Sequence, residues 1–315
     1  MPSLRRFSSA DPSTGLTLGL ITYLMWGFFP LYFRSLSPAG AFEVICHRAI
    51  WSLAFALALL AATRGMGKLR LLLHDRALLA RLSLAGVLII GNWTAYVYAV
   101  QTGRTIDASL GYFINPLLTV ALGRIVLKER LSRLQAAALG LGGIAIVVLA
   151  AGLEHFPWLA IIMPTTFALY SLVKKKVATR VPPIAGMTIE TGVVAPFLAC
   201  YLIYLACGHR TSLQRLAAEG AGATHVATHA ALLVGAGLIT LIPLVLLAAA
   251  SRTLSLTVLG LLQYLSPTLQ MLIATLMFHE PVEPARWIGS AFVWAALVVL
   301  IVDGLRTYRR GTKAA

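Results

Sequence analysis

The chain has 315 residues, of which 59% are hydrophobic and 12% charged; its mean hydropathy is +0.83 and its formal net charge is +15. Soluble domains run at about 45–50% apolar and about 25% charged residues, so this composition excludes a soluble globular protein. Uncharged runs such as 134–153 and 253–278 fit helices crossing a hydrocarbon core about 30 Å thick, and they exclude the alternating strands of a membrane β-barrel.

Ten spans are predicted in chain order, at 14–34, 41–63, 79–101, 108–127, 134–153, 156–174, 184–206, 228–250, 255–278 and 285–303. The first belongs to a stretch, 12–33, that is uncharged throughout and too long for the apolar core of a cleavable signal peptide. The second carries Glu43, His47 and Arg48 near its start. A charge at the bilayer centre costs at least about 2.5–3.5 kcal/mol, so such groups mark function or a specific partner. Glu43, His47 and Trp51 are spaced i, i+4, i+8 and share one helix face, whereas Arg48 points elsewhere. The functional reading gives Glu43 and His47 a coupling or gating role and Trp51 a flat substrate-binding surface. The competing reading is a polar cluster that locks this helix to a neighbour.

The third span adds Asn92, Trp93 and Tyr96. In the fourth, Asp107, Gly111 and Asn115 form a stripe next to Tyr112 and Pro116, and in the fifth Gly140, Gly142 and Gly143 suit close helix contact. Tyr170 in the sixth span is a candidate counterpart of Trp26 in the first, and Glu190 in the seventh is a candidate counterpart of Glu43. The ninth carries Gln263, Ser266, Pro267 and Gln270 at i, i+3, i+4, i+7, with Tyr264 beside them. A proline inside a helix frees a carbonyl one turn earlier, which is tolerated only against protein or a wet cavity. The expected substrate-binding set is therefore Trp51, Asn92, Tyr96, Tyr112, Asn115, Gln263, Tyr264 and Gln270. The expected coupling or gating set is Glu43, His47, Arg48, Glu190, Pro116 and Pro267.

Twenty of the 26 Lys and Arg residues fall in segments on one side of these spans and five on the other, with Arg48 inside. The asymmetry places both termini in the cytoplasm of a multi-pass protein of a bacterial-type inner membrane, as an even number of spans requires. Clusters this short between apolar spans set orientation; they are not a nucleic-acid surface, which would interleave basic and aromatic residues. Cys46, Cys200 and Cys207 lie in or beside spans without metal-like spacing, so no metal, cofactor or disulfide framework is expected. Nothing in the sequence sets an oligomeric state.

YFINPLLTVALGRIVLKER (112–130) resembles YLSPTLQMLIATLMFHEP (264–281): Pro116 and Pro267 are each followed thirteen residues later by Glu129 and Glu280, an offset of 151. Five spans per half is an odd number, so the halves must run in opposite directions, the inverted-repeat layout of secondary transporters. The predicted fold class is an all-α membrane protein, ten transmembrane helices as two inverted five-helix repeats.

Five segments, TYLMWGFFPLYFR (22–34), EVICHRAIWS (43–52), IIGNWTAYVYAV (89–100), ASLGYFINPL (108–117) and LGLLQYLSPTL (259–269), resemble the RarD-like, EamA-type branch of the drug/metabolite transporter superfamily. The resemblance runs from about residue 16 to about 310 and implies a ten-helix bundle that exports small molecules. The chain then divides into an N-terminal tail (1–13), a first EamA repeat (14–153), a second, inverted one (156–304) and a basic tail (305–315). The expected partners are membrane lipid and a small-molecule substrate, amino-acid-like or chloramphenicol-like.

Gly67 and Lys68 are followed by Leu69, so there is no Walker A motif, and transport should run on a gradient, with a proton as the natural coupling ion. The alternatives are an intramembrane enzyme and a channel or uncoupled facilitator. The chain has no GxSG, no DxxD and no pair of intramembrane aspartates, which argues against an enzyme. No filter motif supports a channel.

Overall fold

The computed structural model describes residues 12–101, 105–150, 158–277, 279 and, between 287 and 303, all but 297, 300 and 301. Glu280, the second glutamate of the Pro–Glu repeat, and most of both predicted tails lie outside these residues. Every regular element among the described residues is helical. In order these are α1 (Pro12–Gly27), α2 (Phe29–Arg34), α3 (Ala41–Ala62), α4 (Met66–His74), α5 (Arg76–Gln101), α6 (Thr105–Val126) and α7 (Arg133–Ala150). Then follow α8 (Trp158–Val177), α9 (Pro183–Cys207), α10 (Ser212–Ala218), α11 (Ala223–Ala250), α12 (Leu256–Leu262) and α13 (Leu265–Leu276), with further helical residues at Trp287–Ala296. Six stretches are long and apolar enough to cross a membrane, and shorter apolar helices occur at Gly111–Val126, Arg133–Val148 and Trp287–Ala296.

Two predicted spans are interrupted. Residues 14–34 break at Phe28 into α1 and α2, and 255–278 break at Gln263 and Tyr264 into α12 and α13. Both breaks have a proline cause: Pro30 and Pro267 lack an N–H and crowd the carbonyl one turn back. Pro116, Pro164, Pro196 and Pro243 instead stay inside continuous helices. The polar connectors predicted near 64–78 and 208–226 contain the short helices α4 and α10.

Helix α3 packs between α9 and α11, α5 lies against α8 and α9, α6 against α8 and α12, and α1 against α11 and α13. Bundles in lipid gain little from burying apolar area against a lipid tail, so close approach of backbones decides their packing. Two glycines make that approach. A Cβ on Gly86 would collide with the backbone of Glu190 in α9, and one on Gly237 with the backbone of Trp51 and Ser52 in α3. Large apolar side chains such as Ile125, Val147, Phe197 and Ile203 are exposed on the outside, as a lipid-facing surface requires.

One end of the bundle is drawn together by polar contacts between distant segments. The Glu129 carboxylate, beyond α6, accepts from the Leu256 and Thr257 amides at 2.8 Å each and from the Thr257 hydroxyl at 2.6 Å. Lys175 at the end of α8 donates to the carbonyls of Ser251 (2.9 Å) and Leu254. Arg252 donates to the carbonyls of Ala178 (3.1 Å) and Val181 (3.0 Å). This is the basic end of the molecule. Above it a cluster including Tyr23, Ala85, Ile89, Tyr170, Met187, Leu244 and Leu247 fills the bundle interior.

Gly86→Val and Gly237→Val should each lower the melting temperature of the detergent-purified protein, because overpacking typically costs about 1–3 kcal/mol and backbone atoms cannot rotate away. Gly140→Val, which meets nothing within 4 Å, should melt like the unaltered chain.

Candidate functional site

A cavity of about 360 Å³ opens between α1–α2, α3, α5, α6, α8, α11 and the α12–α13 break. Its inner end lies at Tyr23, Ile89, Leu244 and Gln263, and it runs to Ala39 and Ala41, at the turn between α2 and α3. The basic end is thus closed beneath it. Pockets of about 300–1,000 Å³ hold metabolite- to drug-sized ligands. Aromatic side chains dominate the wall: Trp26, Phe29, Phe33, Trp93, Tyr96, Tyr112 and Phe167.

The prolines help to build the polar part. Pro30 has no N–H to give the Trp26 carbonyl, and Gln270 supplies the missing donor at 3.0 Å. Ser266 donates to the Tyr23 carbonyl at 2.7 Å, so α13 is fastened to α1 at two levels. Asn92 donates to the Met163 carbonyl at 2.7 Å and reaches the Thr166 hydroxyl at 3.3 Å, joining α5 to α8. Gln263 donates to Thr119 at 3.3 Å across the crossing of α12 with α6. Asn115 Oδ1 and Gln263 Oε1, both buried, accept no hydrogen bond.

Arg48 is the cation of this cavity. It is 9% exposed, its Nε donates to Thr240 Oγ1 at 2.9 Å, and its guanidinium carbon lies 4.2 Å from the Trp93 ring centroid and 5.0 Å from that of Phe33.

Of the substrate-binding candidates, Asn92, Tyr96, Tyr112, Asn115, Gln263 and Gln270 line the cavity, as do Arg48 and Pro267 from the coupling set. Trp51 and Tyr264 do not. Trp51 Nε1 donates to His47 Nδ1 at 3.3 Å on the α11-facing side of α3, and Tyr264 is fully buried against Gly142 of α7. His47, Pro116, Glu43 and Glu190 also lie off the cavity wall.

Both acids are fully engaged elsewhere. Glu43 accepts from the Ser212 amide at 2.8 Å and its hydroxyl at 2.9 Å, and Ser212 Oγ is 2.8 Å from His229 Nε2. With the serine proton given to Glu43, His229 must donate through Nε2. The ionisable group at the entrance of α3 therefore ties that helix to α10 and α11. Arg215, bonded to the Pro38 carbonyl at 2.8 Å, adds to the same tie. Glu190 is buried with Lys174 Nζ at 2.6 Å and Tyr170 Oη at 3.3 Å, which joins α8 to α9. Tyr170 is thus committed to Glu190, whereas Trp26 faces the cavity.

Phe29, Phe33, Phe167 and Thr240 line the cavity without having been singled out by the sequence. The run FFPLYF at 28–33 carries a usable signal, aromatic density around a proline. Thr240 carries none, being one hydroxyl in an apolar helix.

Glu43→Ala would leave the Ser212 amide and hydroxyl without their acceptor in a buried place. A loss of about 1–3 kcal/mol is expected, read as an earlier melting transition in detergent. His47→Ala, which removes a single 3.3 Å contact, should move the transition much less.

The EamA-like transporter family model matches this chain twice, over residues 13–151 and 157–302. Protein RarD of Streptomyces exfoliatus is 41% identical over 95% of this chain and 92% of its own length. An uncharacterized transporter of Pseudomonas aeruginosa is 38% identical over 96% and 98%, and Protein RarD of Escherichia coli is 34% identical over 95% and 97%. A protein of known crystal structure, 21% identical, superposes with a TM-score of 0.70 over 95% of this chain and 99% of that one, and so has the same fold. With two family matches covering most of its length and RarD proteins among its relatives, the chain belongs to the EamA-like transporter family and is a membrane transporter of the drug/metabolite superfamily.

Proposed function

We propose that this chain is a secondary-active exporter of small organic metabolites or drugs that works by alternating access between two inverted five-helix repeats, 14–153 and 156–304. The double family match supports the repeat, and so does the packing. If α1–α2, α3, α5 and α6 correspond to α8, α9, α11 and α12–α13, the α5–α8 contact maps onto α11–α1. By the same exchange α6–α8 maps onto α13–α1, and α3–α11 onto α9–α5. The contacts α3–α9 and α6–α12 map onto themselves. Gly86 and Gly237, each pressed on the backbone of the facing helix, are offset by 151 residues, as are Pro116 and Pro267.

The observation that carries the reading is a cavity walled by helices of both halves and closed at one end by Glu129, Lys175 and Arg252. The charge asymmetry makes the closed end cytoplasmic, with both termini on that side. This arrangement is then the outward-facing state, and the inward-facing one requires those bonds to part. A proton is the natural counter-ion for export. Glu43 and His47 each precede a cavity-lining residue of α3, Val44 and Arg48, and protonation there would bias one state against the other.

In proteoliposomes, saturable counterflow of phenylalanine or chloramphenicol, one probe for each expected substrate kind, is the predicted result. Flux that rises without saturation would make the protein a channel, and a covalently altered probe would make it an enzyme. State exchange is read separately, in a chain with Cys46, Cys200 and Cys207 replaced by Ala and Ser266→Cys introduced. A water-soluble maleimide should label that cysteine from the outer face. Adding Glu129→Ala should raise labelling from the basic face, and unchanged labelling would remove Glu129 from the gate.

A further inference from the structure

Among the described side chains, those lining the cavity bring a positive charge and no negative one. Among the described residues that line it there is no Asp or Glu. Of the acids whose side chains are described, Glu43 is bonded to Ser212 and Glu190 to Lys174 and Tyr170. Arg48 itself makes one side-chain hydrogen bond, through Nε to Thr240. Its planar group is held by ring contacts to Trp93 and Phe33. Such contacts offset part of the cost of burial but bring no counter-charge. Nor do they use its remaining N–H donors, which make no hydrogen bond among the described residues and suit a partner lying in the guanidinium plane. An uncompensated cation at this depth is costly, and no described side chain neutralises it.

We infer that the cavity selects small organic anions, the anionic group of the substrate seated on the guanidinium edge of Arg48 and its apolar or aromatic body lying among Trp26, Phe29 and Phe167. An anion entering this site supplies the missing charge and forms the charge-assisted, bidentate contact that arginine favours with a carboxylate. A neutral molecule leaves Arg48 unpaired, and a cation is repelled. The inference rests on the transport reading only for the claim that the bound anion is carried across the membrane.

The test compares three probes that share one ring: 4-hydroxyphenylacetate, its neutral amide 4-hydroxyphenylacetamide, and the cation tyramine. Binding to the purified full chain is measured by calorimetry and passage by uptake into proteoliposomes. The unaltered protein should bind the anion about tenfold or more tighter than the amide, and tyramine weakest. Arg48→Gln should erase the preference while a melting curve shows the chain folded. Arg48→Lys, which keeps the charge and loses the planar fork, should keep the preference with weaker binding. The proposal is overturned if the unaltered protein binds the amide or tyramine as well as the anion, if it binds none of the three, or if folded Arg48→Gln still prefers the anion. Should Arg48→Gln not fold, the ranking of the three probes by the unaltered protein and by Arg48→Lys decides alone. Anion binding through Arg48 without passage into liposomes would uphold this assignment and overturn the transport reading instead.

Discussion

A lipid interior offers no water, so each polar group placed inside this bundle needs a partner made of protein. That requirement explains most of the molecule's details. The carbonyl freed by Pro30 is met by Gln270, the buried Glu190 by Lys174 and Tyr170, and Glu43 by Ser212. Among the buried polar atoms left unmet, Tyr23 Oη, Asn115 Oδ1 and Gln263 Oε1 belong to residues of the cavity wall, where Arg48 also stands, whereas Ser171 Oγ, Tyr264 Oη and Trp294 Nε1 lie away from it. Unmet polarity therefore points to a site only where it borders empty space, as it does at Asn115 and Gln263.

The helices were legible in the sequence because hydrophobic length and charge asymmetry are properties of the composition. The Pro116/Pro267 repeat was legible because it survives as an offset of residue numbers. The interruptions at Phe28 and at Gln263–Tyr264 were harder to read, since a proline signals a break only when its surroundings cannot absorb one; Pro116 and Pro243 sit in unbroken helices.

Spacing along α3 brought Glu43, His47 and Trp51 onto one face, as helical geometry demands, but spacing says nothing about which neighbour that face meets. It meets α10 and α11, while Arg48, one position on, turns into the cavity. The same limit applies to Tyr264, which follows Gln263 in the chain yet packs on Gly142 because the α12–α13 break turns it away. Six of the eight residues expected to line a site share the cavity. Asn115, Gln263 and Gln270 lie on the two polar stripes, Tyr112 stands beside one of them, and Asn92 and Tyr96 belong to the polar and aromatic group of α5. Polar periodicity thus located the wall better than individual charges did.

The bonds made by Glu129 have one more implication. Two of its three contacts are to peptide N–H groups, and only the Thr257 hydroxyl belongs to a side chain. Main-chain donors are present whatever residues occupy 256 and 257, proline apart. Evolution can therefore alter the first two residues of α12 widely and keep both main-chain bonds, provided a carboxylate of the same reach stays at position 129.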